Sequence, residues 1–117
     1  MKRTTIKAAR FEGKKHGPRQ VIRVDWPAYT SATWPGLAVH RTLERDGAAG
    51  EDWTVTHIAS GCSVNPRARA FSSRRHAAGF AYRIAGLTDW TASQEDLQRN
   101  PPDPDIMRAA SLDARSY

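Results

Sequence analysis

His57 and Cys62 are the residues of this chain whose types could do covalent chemistry together. Ser60-Gly61 between them signals a tight turn, so a thiol activated by an imidazole is geometrically conceivable. A cysteine at a strand position is more often a small buried hydrophobe. His40 and His57 could instead face each other across neighbouring strands, as a pH-sensitive or metal-binding pair or simply as polar neighbours. His16, His40, His57 and His76 otherwise lack the short helical spacing of a metal site. Glu51-Asp52 and Glu95-Asp96 are adjacent carboxylates, which point to opposite faces of a strand and diverge by about 100° on a helix, so neither pair is suited to share a proton or clamp a metal. The chain carries no phosphate-binding glycine loop, nucleophile elbow, zinc-protease helix or calcium loop. The expectation is a protein that is not an enzyme and holds no cofactor or metal.

Binding chemistry is better represented. Residues 1–23 hold eight Lys/Arg and one acid, and residues 66–83 hold five Arg and no acid, whereas 24–65 and 84–117 are each net −3. Two basic blocks folded onto one face would create a positive potential of the kind that attracts polyanions, nucleic acid first among them. The residues expected to meet phosphates are Lys14, Lys15, Arg19, Arg23, Arg67, Arg69, Arg74, Arg75 and Arg83. Tyr29 and Trp34 in a loop, and Tyr82 beside Arg83, are the rings expected to be exposed and able to stack an unpaired base, while Trp26 and Trp53 are assigned to the core. Composition tempers the charge argument. Arg outnumbers Lys by 14 to 4 and Ala is abundant, as in any protein of a GC-rich genome.

The elements that must position these groups follow from periodicity. Thr4–Glu12 and Arg19–Trp26 read as extended, the second alternating Ile22, Val24 and Trp26 with Arg23 and Asp25. Gly13 to Pro18 between them reads as a basic hairpin tip. Pro27 to Gly36 reads as a long irregular connection. Leu37 to Leu43 and Trp53 to Ile58 alternate as a third and a fourth strand, joined by Asp46 to Gly50. Cys62 to Val64 makes a short fifth strand that Pro66 confines to an edge. Ser72 or Ser73 can cap a helix whose stripe is Ala77, Phe80, Ala81, Ile84 and Leu87, leaving Arg74, Arg75 and Arg83 on a solvent-facing ridge. Ser93 with Asp96 resembles a capping box for a short helix ending at Asn100-Pro101-Pro102, and Asp103-Pro104 opens a terminal helix over 104–114 or a loosely docked tail. Strands followed by helices imply an α+β fold, an antiparallel meander of four to five strands covered by one amphipathic helix, with one or two short C-terminal helices.

A chain of 117 residues suits one domain, residues 1–99, with 100–117 as its tail or docked helix. No apolar run approaches the ~20 residues of a membrane span, and Met1 to Arg10 is basic without an apolar stretch behind it, which argues against a signal peptide. The single cysteine rules out an internal disulfide and suits a reducing cytoplasm. The expected function is non-catalytic binding of DNA or RNA through a basic sheet and helix surface. The alternative is an inhibitor or adaptor of phage or mobile-element type that binds a host protein, which the acidic C-terminal third favours. A homodimer through an edge strand is compatible with either.

Overall fold

A computed structural model describes residues 1–12, 20–43, 48–66 and 69–116, with residues 10–12, 20 and 21 described by their backbone alone. Five strands, β1 (Lys2–Glu12), β2 (Gln20–Thr30), β3 (Leu37–Leu43), β4 (Ala49–His57) and β5 (Cys62–Ser63), form an antiparallel meander in sequence order, curled into a half-barrel. Three helices follow: α1 (Arg74–Ile84), α2 (Gln94–Arg99) and α3 (Pro104–Arg115). The expected α+β fold is present.

Cross-strand register decides what each face carries. Leu37 opposes His57, Val39 opposes Val55 and Arg41 opposes Trp53, so these side chains share one face; Ala38, His40, Thr54 and Thr56 share the other. The first face is covered by α1 and α3, whose Ala77, Phe80, Ala81, Ile84, Met107, Ala110 and Ala114 join Leu37, Val39, Val55 and Phe71 in the main core. The second face is covered by the chain's own first hairpin. Ile6 and Ala28 from β1 and β2 pack on Ala38, with Ile58 against them. The hairpin is closed down by Ala9 N donating to the Gly61 carbonyl at 2.8 Å. Both faces are thus dry where Leu37–His40 pairs with Thr54–His57, and a period-two pattern gives way there to a run of four buried residues from Leu37 to His40, while the other ends of β3 and β4 reach solvent.

Curling is possible because, among the described residues, β2 and β3 share one pair alone, Tyr29 with Val39. Trp26, expected in the core, is half-buried at this open seam and donates its indole N–H to the Arg41 carbonyl at 3.0 Å. Pro27 lies in β2 opposite Thr5, beside that seam, where its missing N–H deprives no ladder partner. Two expectations are corrected here. Residues 27–30 belong to β2 and not to a loop. Trp34 is not exposed: at 3% exposure it joins the main core, because Gly36, at φ +84°, folds residues 31–36 back against the Trp90 backbone.

The helices begin where capping chemistry places them. Ser73 accepts from His76 N, Ser93 from Asp96 N, and Asp103 from Asp105 N with Pro104 in the first turn. The terminal segment is a docked helix, Met107 and Ala114 packing into the main core.

Candidate functional site

Among the described residues, three arginines cover three aromatic rings on the helix-bearing face of the sheet. Arg74 stands 4.7 Å from the Tyr29 ring centroid, Arg41 5.2 Å from that of Trp53, and Arg115 4.2 Å from that of Phe71. Tyr29 and Trp53 are themselves in ring contact, with centroids 6.2 Å apart. The result is a continuous row, Arg74–Tyr29–Trp53–Arg41, with Arg115 and Phe71 beside it.

Each position follows from the local chain. Register puts Tyr29 and Arg3 directly opposite on β2 and β1, so Arg3 is an exposed cation at the row's edge. Arg41 and Trp53 are likewise opposite on β3 and β4. A register shift beyond them, between Arg41 and Leu43, brings the Gly50 carbonyl within 3.3 Å of Arg41 Nη1. Trp53 exchanges backbone hydrogen bonds of 2.7 Å with Phe71, extending the same face past β4. Arg74 is the first residue of α1, near the flank of its buried stripe, which lets it lean over Tyr29. Arg115, in the last turn of α3, reaches back to the Ala70 and Arg69 carbonyls with Nη1 and Nη2 at 2.7 and 2.8 Å.

The electrostatics of this row are unbalanced. Burial and the nearby Arg69 charge both act against the charged form of Arg115. Among the described residues no carboxylate lies within ion-pair distance of Arg3, Arg41, Arg69, Arg74, Arg75 or Arg115, whereas Lys7 pairs with Asp25, Arg99 with Asp96 and Arg108 with Asp105. Glu51 and Asp52 precede Trp53 and are exposed, but bridge to none of these cations.

Of the residues expected to bind, Lys14, Lys15, Arg19 and Arg67 lie outside the described residues. Arg74 is in the row, and Arg75 and Arg69 are exposed nearby in sequence. Arg23 is not in it: its Nη1 is 3.4 Å from the Ala59 carbonyl in the β4–β5 turn, towards the other end of the long hairpin. Arg83 bonds the Gly79 carbonyl at 2.9 Å on α1, where Tyr82 is 67% exposed. Tyr29 is half-buried under Arg74, and Trp34 is buried away from the site. Arg3, Arg41, Trp53 and Arg115 were not singled out by the sequence as binding residues. For Trp53 and Arg41 the available signal was strand alternation, which puts two such residues on one face once register is known.

His57 and Cys62 do not form an activated pair. His57 Nε2 lies 2.8 Å from the Ala92 carbonyl, which can only accept, so that nitrogen carries the proton. Nδ1 then takes the Ser60 hydroxyl at 2.9 Å, and no lone pair remains for the thiol. Nor do His40 and His57 face each other, for they sit on opposite faces of the sheet. His40 is likewise saturated, by the Arg41 carbonyl and Thr56 Oγ1, both at 2.7 Å. An open cleft of about 300 Å³ between β5, α2 and α3, lined by Cys62, Trp90, Leu97, Pro102 and Met107, is mainly apolar.

Known proteins offer no guide. Compared with family models, curated proteins and solved structures, the chain matches none. Among the described residues no helix is long and apolar enough to cross a membrane, and no group of three or more His, Cys, Asp or Glu could hold a metal ion.

Proposed function

We propose that this protein binds nucleic acid, through the face built from Arg3, Tyr29, Arg41, Trp53, Arg74 and Arg115. The observation that carries the reading is the Arg74–Tyr29–Trp53–Arg41 row, in which cations and rings interleave and no carboxylate of the described chain neutralises the cations. Backbone carbonyls and rings hold Arg41 and Arg115 in place but leave their charge uncompensated, whereas Lys7, Arg99 and Arg108 each meet a carboxylate. Unpaired guanidiniums beside half-exposed rings suit a ligand that brings negative charge and planar groups together.

Titration of a fluorescently labelled oligonucleotide against the protein tests this. Binding is expected at low salt. With Arg3, Arg69 and Arg75 facing about three phosphates, log affinity should fall against log salt with a slope between roughly −2 and −3. The Arg41→Ala, Arg74→Ala double variant should lose about tenfold or more in affinity while keeping its circular dichroism spectrum. Absence of binding at low salt removes the reading. An acidic protein segment bound in preference to any oligonucleotide would transfer the face to a protein partner.

A further inference from the structure

We infer that the ligand of this face is single-stranded, its unpaired bases stacking on the guanidiniums of Arg41 and Arg74 on the side away from the rings. The inference rests on the nucleic-acid reading and narrows it. Charge alone does not separate a single strand from a duplex, because both present phosphates. What separates them is which surface of each arginine remains available. Arg41 already commits Nη1 to the Gly50 carbonyl, and Arg115 commits Nη1 and Nη2 to the Ala70 and Arg69 carbonyls. Each also rests over a ring, and neither is free to extend towards a phosphate as a surface arginine does.

A guanidinium seated over a ring, as those of Arg41 and Arg74 are, is left with the side away from the ring to offer, and a guanidinium plane stacks on bases. Bases inside a duplex are stacked on one another and present no such face; bases of a single strand do. Arg41 and Arg74 are exposed at the two ends of the row, and the steps along it are 4.7, 6.2 and 5.2 Å. These steps are filled by contacts within the protein, so each end of the row receives one base and the strand between them crosses the half-buried rings. Arg3, opposite Tyr29, Arg75, next to Arg74, and Arg69 are exposed and ring-free, and they take the phosphates.

The experiment compares one labelled sequence as single-stranded DNA, single-stranded RNA and duplex DNA, alongside heparin, a polyanion without bases. Wild-type protein and the Arg41→Lys, Arg74→Lys double variant are used. Lysine keeps the charge and removes the plane. The expected result is single-strand affinity at least about tenfold above duplex, lost to a similar extent in the lysine variant, with heparin binding unchanged. Equal or tighter duplex binding, or full single-strand affinity in the lysine variant, overturns the stacking inference while leaving nucleic-acid binding in place. Binding of heparin with no oligonucleotide bound overturns both.

Discussion

Among single residues, two glycines decide what each face of the sheet can enclose. Trp34 and Trp53 are the same side chain, and the sequence assigned them opposite fates, Trp34 in a proline-bounded loop and Trp53 on an apolar strand face. The reversal has a backbone cause. Gly36 adopts φ +84° and approaches Trp90 so closely that a Cβ there would stand 2.3 Å from backbone, and this approach tucks Trp34 under the helices. Gly61 plays the matching part on the other face: its φ is +74° and an added Cβ would lie 2.5 Å from the Lys7 carbonyl oxygen, so β1 has room to close only over a glycine. Gly61→Ala is therefore expected to cost about 2 kcal/mol or more in urea denaturation, from left-handed strain and displacement of β1 together. Gly86→Ala, where an added methyl meets nothing within 4 Å, should stay within about 0.5 kcal/mol of wild type. Similar losses for the two would mean that β1 does not depend on this contact.

At the scale of the element, helix starts were legible because a cap is local: Ser73, Ser93 and Asp103 each bond an amide two or three residues on. The β2–β3 seam was not, since it is defined by pairing that is missing, and Pro27 looks the same beside an open seam as in a loop. Nor does alternation reveal that a hairpin will roof the second face of β3 and β4. Beneath that roof lies His40, whose pKa burial lowers, the bond to the Arg41 carbonyl opposing this. A buried imidazole held neutral takes up its proton more readily once the chain unfolds. Between the folded value and the ordinary 6.5, the unfolded state binds more protons, so this stability is complete above about pH 6.5 and declines as pH falls below it. Urea midpoints should drop from about pH 7.5 to about pH 5, and His40→Gln should flatten that trend. An equal trend in the variant would assign it to another group. His40 touches the row only through backbone, since the Arg41 carbonyl accepts from both His40 and the Trp26 indole.

At the scale of the whole molecule, the charge pattern was legible as two basic blocks but not as a surface. The blocks do meet, though through their edges: Arg3 from the first and Arg74 from the second flank Tyr29, while Arg41 and Arg115 come from stretches whose net charge is negative. Acidic composition along a stretch thus hid two of the cations nearest the rings. The hairpin carries Arg23 in the opposite direction, about 20 Å along β2 from Tyr29 at ~3.3 Å per residue, which exceeds the ~8 Å screening length of physiological salt. A ligand centred on the row should scarcely sense it. Arg23→Ala is accordingly expected to change oligonucleotide affinity by less than about twofold at physiological salt. Arg3→Ala should weaken it several-fold and make the salt slope shallower by about 0.7 to 0.9, the loss of one phosphate contact. Equal losses for the two substitutions would mean that the positive field of the entire molecule holds the ligand, and that no single face does.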